Sequence, residues 1–174
     1  MHFFTRQGSR ETGWETTLLP IMYFTRYCSI TFADKYYFFE AKREGGIPYV
    51  RSNNGDGLQP FVEVSVGDFH FQAMFDTGSN FSGVLTPQVA HAINLEEAYP
   101  KDAFIPDAGS ANSRVLGAQS NLVPYRIEGS SWLFTHRFTV SNEEEDVCIL
   151  PVEDIWSDGV FFSLHEDSLD IYDC

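Results

Sequence analysis

FVEVSVGDFHFQAMFDTGS, residues 61–79, is the stretch that decides the fold. Apolar residues fall mostly at every second position from Phe61 to Phe75, and Gly67-Asp68 interrupts them. This alternation predicts two strands joined by a tight turn, because a Gly-Asp pair between alternating runs is a hairpin signal. The second strand leads into Asp76-Thr77-Gly78-Ser79, four residues that all favour turns, so an ordinary Asx turn is one interpretation of them.

An Asp-Thr-Gly-Ser loop placed after such a hairpin resembles the catalytic loop of the aspartic proteases. The sequence that follows is similar to the retropepsin-like (single-lobe, retroviral-type) family of these enzymes. Asn80–Leu85 resembles the short strand that follows the family's catalytic loop. Residues 86–95 predict a short helix with Thr86 as N-cap and Pro87 at its first position. Its buried face should carry Val89, Ala92 and Ile93.

The resemblance continues to the end of the chain. Leu116, Gly117, Ala118 and Gln119 resemble the glycine-bearing flap that closes over substrate in this family. We expect an irregular loop around Pro100–Gly109 before the flap, and a further helix near residues 152–156. Later strands are predicted at residues 122–127, 132–140 and 147–150, with a turn at Glu128–Ser131 between the first two.

The resemblance implies a catalytic role for Asp76. Two carboxyls about 3 Å apart cannot both ionise, so such a pair shares one proton. Thr77 and Ser79 would brace the loop through their hydroxyls, and Gly78 would allow close approach of the partner carboxyl. The implied reaction is peptide-bond hydrolysis of a peptide or protein substrate, with no metal and no cofactor.

Length and motif count predict a homodimer. The 174 residues contain one Asp-Thr-Gly loop, whereas a two-lobed enzyme carries two such loops and needs about twice this length. The second carboxylate would therefore come from Asp76 of another copy across a twofold axis. A chain that is the N-terminal lobe of a two-lobed protease is a weaker alternative. The predicted fold is all-β, a small closed barrel-like lobe with one or two short helices.

One departure from the family concerns Pro151. The family usually places a glycine after two apolar residues at the Ile149-Leu150 position, and proline there predicts different local packing. A catalytically degenerate homologue, acting as a binding or assembly module, is therefore the alternative function.

Charge and cysteine usage limit the partners and the compartment. The formal net charge is −14, and residues 58–174 hold four basic against nineteen acidic side chains. Such an acidic body argues against nucleic acid as a partner. Thr16–Phe32 is too short and too interrupted to be an integral membrane segment. Three distant cysteines and no clear signal peptide favour a cytoplasmic protein without a disulfide framework or zinc site.

The chain divides near residue 57 in this interpretation. Residues 58–174 form the retropepsin-like domain, and residues 1–57 are an N-terminal extension with two strand candidates, Ile30–Phe32 and Tyr36–Phe39. The extension is either a pro-segment released by the enzyme or a set of strands packed on the domain.

Overall fold

The computed structural model describes residues 4–7, 15–18, 21–33, 36–50, 60–77, 83–95, 97–106, 114–142 and 147–173. For residues 4–7, 15–18, 97–106, 114–117 and 173 only the backbone is described. The predicted all-β fold is confirmed, since the described residues form fifteen strands and three short helices, one helix more than the one or two expected. Among the described helices, none has the length and apolar character needed to cross a membrane.

The elements follow one another in chain order. The extension contains β1 (Phe4–Gln7), β2 (Glu15–Leu18), α1 (Ile21–Phe24), β3 (Ser29–Ala33), β4 (Tyr36–Glu40) and β5 (Ile47–Pro48). The middle of the chain contains β6 (Phe61–Val66), β7 (Phe69–Met74), β8 (Gly83–Leu85), α2 (Pro87–Ala92), β9 (Glu97–Pro106) and β10 (Arg114–Ser120). The last part contains β11 (Val123–Ile127), β12 (Phe134–His136), β13 (Phe138–Ser141), α3 (Val152–Ser157), β14 (Val160–Leu164) and β15 (Ser168–Asp173).

These strands form four sheets. Two have four strands each, in the orders β8-β13-β10-β9 and β12-β11-β6-β7. A five-stranded sheet has the order β4-β3-β14-β15-β5, and β1 pairs with β2. All neighbours are antiparallel except β8 and β13, which run parallel. One apolar core lies beneath the sheets and is filled by side chains from all three larger ones.

The predicted β6–β7 hairpin is present with its turn at Gly67-Asp68. Val66 pairs with Phe69, and the register continues to Phe61 opposite Met74. Gly67 has φ +57°, which fits a turn with glycine at the first central position. Alternation then sends Val62 and Val64 into the core, where both are fully buried.

Helix α2 begins as its sequence predicts. The Thr86 hydroxyl accepts a hydrogen bond from Val89 N at 3.3 Å, and Pro87 is the first helical residue. Its buried face differs from the prediction: Ala90 is buried, Val89 and Ile93 pack on the core, and Ala92 is exposed. The helix ends at Ala92, and Asn94 follows with φ 51°.

Three other predictions need correction. The strand expected at residues 147–150 is not formed, since only Ile149 makes isolated bridges there. The prediction of an irregular loop around Pro100–Gly109 is wrong as far as Pro106, because residues 97–106 form β9. The single strand expected at residues 132–140 is two strands, because the chain changes sheets at Arg137. There the Arg137 side chain donates to Ser120 O at 3.0 Å, and Phe138 N donates to Ser120 Oγ at 2.9 Å.

Candidate active site

Asp76 lies at the start of a loop whose two ends are held by one short segment. This central segment is Cys148–Leu150, and it passes between the end of β7 and the start of β8. On one side Met74 N donates to Cys148 O at 2.8 Å and Leu150 N donates to Met74 O at 3.0 Å. On the other side Val84 and Ile149 exchange backbone bonds of 2.8 and 2.9 Å.

This pairing fixes the width of the Asp76 loop, residues 75–82. Since each pairing spans about 4.8 Å, the strands entering and leaving the loop are held about 10 Å apart. Asp76 and Thr77 are both half-buried at its beginning. Gly78 and Ser79, the other two predicted loop residues, lie outside the described part of the chain, so their predicted roles remain predictions.

Phe75, the residue before Asp76, is anchored in the core. Its side chain is 1% exposed, and its ring meets Phe162 of β14 edge to face, with centroids 4.5 Å apart. Its backbone N donates to Pro60 O at 2.7 Å. A large aromatic fixed on both its ring and its backbone leaves the chain little freedom at the point where Asp76 begins.

Gly83 allows the exit strand to lie close to the central segment. A Cβ on Gly83 would meet Ile149 O at 2.6 Å and the Phe138 ring at 2.7 Å. Only glycine fits such an approach without displacing backbone. Among the described residues, a glycine-dependent contact next to the loop is therefore on β8, at a residue whose role was not apparent from the sequence.

Pro151 is the N-cap residue that precedes helix α3, and its missing N–H takes no donor from this hydrogen-bond ladder. The bonds to β7 and β8 are donated by Ile149 and Leu150, and Pro151 O accepts from Ile155 N at 3.0 Å. A proline at the start of a helix loses no bond, because its N–H would have no partner within the helix.

Cys148 is a buried thiol next to Thr86, the N-cap of α2. It is 4% exposed, and Thr86 N points at its sulfur from 3.5 Å. Burial raises the pKa of the Cys148 thiol above its usual range.

The predicted flap residues lie in β10, whose pairing changes along its length. Gly117, Ala118 and Gln119 pair with β13 on one side, and β9 lies on the other. Among the described residues, Leu116 pairs with β9 alone, opposite Phe104. In this part of the structure the β9–β10 hairpin therefore extends beyond β13 from Leu116 back to Arg114, and its register shifts between Gly117 and Gln119. Such a register shift bends a strand, and here the bend lies at the base of the projecting end of the hairpin.

A Ser-His-Asp arrangement also occurs, and its burial shows that it is structural. Ser29 Oγ lies 2.8 Å from His165 Nδ1, and His165 Nε2 lies 3.2 Å from Asp170 Oδ2. Ser29 and His165 are 0% and 1% exposed, and Arg43 N donates to Ser29 Oγ at 3.0 Å. A nucleophile must reach its substrate, so this triad ties segments of the fold together. Its members could not be connected from the sequence, because Ser29 lies 136 residues before His165.

Comparisons with known proteins give structural neighbours only. No family model and no curated protein matches the chain. Among solved structures, a retropepsin-like aspartic protease from Rickettsia conorii is 19% identical, with a TM-score of 0.49, and the match covers 75% of this chain and 100% of that one. The EIAV protease complexed with the inhibitor HBY-793 is 20% identical, with a TM-score of 0.40 and coverage of 63% and 95%. The retroviral protease-like domain of Ddi1 from Leishmania major is 9% identical, with a TM-score of 0.43 and coverage of 64% and 92%. This chain is thus similar to solved retropepsin-like and retroviral-protease structures.

Proposed function

We propose that the protein is an aspartic endopeptidase whose active site forms when two copies each supply Asp76. The observation that carries the proposal is the position of Asp76. It opens a loop that follows a hairpin and has both ends bonded to the Cys148–Leu150 segment. A rigid frame around a half-buried carboxyl suits a residue that must meet a second carboxyl at short range.

The chemistry needs one ionised and one protonated carboxyl. The ionised Asp76 takes a proton from water as the water oxygen bonds to the peptide carbonyl carbon, and the protonated Asp76 donates a hydrogen bond to the carbonyl oxygen. The tetrahedral intermediate then collapses, the C–N bond breaks, and the leaving nitrogen receives a proton from the pair. The observable pKa values belong to the pair and not to either copy of Asp76.

The position of Phe75 limits where the twofold axis can lie. Phe75 packs on Phe162 in β14, and β15 is the next strand of that sheet. β5 covers β15 only at Ser168 and Leu169. Pairing two copies along the rest of β15 would put the two Phe162 residues three strand spacings apart, about 14 Å. Pairing along β4, at the opposite edge, would put them about 24 Å apart. The β15 edge is therefore the better place for the second copy.

The remaining predicted site residues take supporting roles in this proposal. Thr77 and Ser79 hold the paired loops in register, and Gly78 allows the two carboxyls to approach. The projecting end of the β9–β10 hairpin, with Leu116 at its base, covers a substrate that binds as an extended strand. Gly117, Ala118 and Gln119 form the bend about which this end of the hairpin moves.

Peptide cleavage across pH 3–7 tests the proposal. A mixed peptide pool is incubated with the wild-type chain, with Asp76→Asn and with Asp68→Asn, and products are identified by mass spectrometry. Asp68 is a matched control, because it is another aspartate of the same hairpin and lies in the turn at the opposite end from the loop. We expect cleavage by wild type and Asp68→Asn, and a loss of about 10³-fold or more in Asp76→Asn.

Two results would contradict the enzyme assignment. Equal rates in wild type and Asp76→Asn would show that the cleavage comes from elsewhere. No cleavage by any variant, together with retained peptide binding, would favour the binding-module alternative.

A further inference from the structure

Residues 29–48 enclose the C-terminal hairpin formed by β14 and β15. β3 pairs with β14 on one side, and β5 pairs with β15 on the other. Between β4 and β5 the chain crosses the outer face of the same sheet as a strap, residues 41–46. One continuous stretch of the N-terminal extension therefore lies on both edges and one face of that hairpin.

The β3 side of this enclosure belongs to the core. Ile30 and Phe32 are each 1% exposed, and they pair with Leu164 and Phe162 in the register of the sheet. Burial of large aromatic and aliphatic side chains removes apolar surface from water and so stabilises the fold. These two side chains fill space that would otherwise be an open groove along β14.

The strap is held by polar contacts to the hairpin. Gly45 N donates to Ser168 Oγ and Gly46 N donates to Asp170 Oδ1, both at 2.8 Å. The Arg43 guanidinium donates to Ser163 Oγ at 3.0 Å, and Lys42 pairs with Glu166. The bonds to Ser168, Asp170 and Ser163 satisfy buried or half-buried side chains of β14 and β15, whereas Lys42 and Glu166 are both exposed.

The closest approach of the strap is at Gly45. A Cβ there would meet the His165 ring and the Leu169 backbone, each at 2.6 Å. At Gly46 the nearest atom to such a Cβ is 3.8 Å away. Neither glycine has a positive φ, so alanine at the two positions differs in contact alone.

Phe32 connects this enclosure to the Asp76 loop by two routes. It pairs with Phe162, whose ring is the one that Phe75 packs against. Its own ring also stacks on Trp156 of α3, with centroids 5.9 Å apart. Helix α3 directly follows the Cys148–Leu150 segment, which holds both ends of the loop.

We propose that residues 29–48 are a permanent positioning element of the Asp76 loop, acting through Phe32 and the Gly45 contact. They are then part of the working enzyme and not a segment released from it. The assignment of Asp76 as catalytic rests on the proposed function above. The effect of residues 29–48 on the order of the backbone that leads into the loop does not.

The first test cuts the chain without removing anything. A recognition site for a specific protease is inserted within residues 52–57, and the cleaved protein is examined by size-exclusion chromatography. We expect the two pieces to elute together under native conditions and to separate only in denaturant. Separation of the pieces, with residues 58–174 still unfolding cooperatively, would overturn the proposal.

The second test compares Gly45→Ala with its matched control, Gly46→Ala. Hydrogen exchange is followed at the Met74 and Phe75 amides, which donate to Cys148 O and Pro60 O. We expect roughly tenfold faster exchange at these amides in Gly45→Ala, and wild-type exchange in Gly46→Ala. Faster exchange confined to residues 41–48 and 165–169 would overturn the proposal.

Phe32→Leu provides a milder variant if Gly45→Ala fails to fold. It keeps an apolar side chain, loses the ring contact with Trp156, and should speed exchange at the same two amides. If the chain cleaves peptides, the pH–rate profile should also shift in Gly45→Ala, because the spacing of the two carboxyls changes. A wild-type profile together with wild-type exchange in both variants would count against the positioning role. Absence of cleavage in the wild type would count only against the proposed function.

Discussion

At the scale of single residues, Gly83 has little space for a side chain, because it lies where β8 touches both Ile149 and Phe138. Alanine at this position would force its Cβ within 2.6 Å of Ile149 O. We expect Gly83→Ala to lower the free energy of unfolding by about 2–3 kcal/mol, the usual cost of overpacking. Chemical denaturation followed by circular dichroism measures this loss.

Gly67→Ala is the comparison for Gly83→Ala. Gly67 has φ +57°, and a Cβ added there would have no atom within 4 Å. Alanine at position 67 therefore suffers backbone strain alone, about 1 kcal/mol. If both substitutions cost the same, the contact with Ile149 is not what requires glycine at position 83.

The thiols at positions 28 and 148 should react at different rates. Cys148 is buried with a raised pKa, so its thiolate is rare and shielded. Cys28 is half-buried. With iodoacetamide at about pH 8, we expect Cys28 to be alkylated faster, and Cys148 to react at a comparable rate only after unfolding. Peptide mass spectrometry of a time course gives both rates, and equal rates in the folded protein would contradict the burial of Cys148.

At the scale of elements, Ser120 controls where β12 ends and β13 begins. Its hydroxyl accepts from Phe138 N, and its carbonyl accepts from Arg137. Ser120→Ala leaves the Phe138 N–H without this partner, and we expect a loss of about 1–3 kcal/mol in stability. Ser157→Ala is the control, because its hydroxyl is exposed and bonds to Glu153 O in its own helix. A thermal unfolding midpoint that falls equally in the two variants would show that the Ser120 contact is unimportant.

Strand β4 is an exposed edge with four aromatic side chains, Tyr36, Tyr37, Phe38 and Phe39. Unprotected apolar edges pair with other chains. We expect Phe38→Lys to reduce concentration-dependent aggregation, measured by light scattering, without lowering the unfolding midpoint. Leu133→Lys, at a similarly exposed apolar residue outside this sheet, should change aggregation less. Equal effects would point to general surface hydrophobicity and not to the edge.

Local signals predicted the elements that depend on neighbours in sequence. The Gly67-Asp68 turn and the Thr86 cap with Pro87 could be identified because a few adjacent residues determine each of them. The break between β12 and β13 at Arg137 could not be identified in this way, because it depends on Ser120, seventeen residues earlier. β9 was missed because its two prolines, Pro100 and Pro106, indicate a loop, yet both lie in a strand at the edge of its sheet.

The candidate site was predictable only in part for the same reason. Asp76 is found by its local motif, whereas the frame around it comes from Ile149, more than seventy residues later. The contribution of the extension depends on pairs such as Thr31 and Ser163, 132 residues apart. Strand pairing at such separations leaves no periodicity in either segment alone.

At the scale of the whole molecule, net charge should control the proposed dimer. Residues 58–174 carry fifteen more acidic than basic side chains, so two copies repel each other at neutral pH. Protonation of carboxyls reduces that repulsion, and salt screens it. We therefore expect the dissociation constant of the dimer to fall as the pH is lowered from about 6 to about 4, where carboxyls begin to protonate, and to fall at neutral pH when salt is added. Sedimentation velocity measures both; an association that weakens with salt would contradict a role for charge repulsion.

The enclosure of the C-terminal hairpin also has a consequence for synthesis on the ribosome. Ser29 and His165 are 136 residues apart, so β3 is made long before its partner β14 emerges. At about 5–20 residues per second, the interval is roughly 7–27 seconds. During that time Ile30 and Phe32 can pair with β4 but lack β14 on their other side, and the aromatic run that follows them is open to chaperones. β14 and β15 are thus the strands that allow residues 29–48 to finish folding.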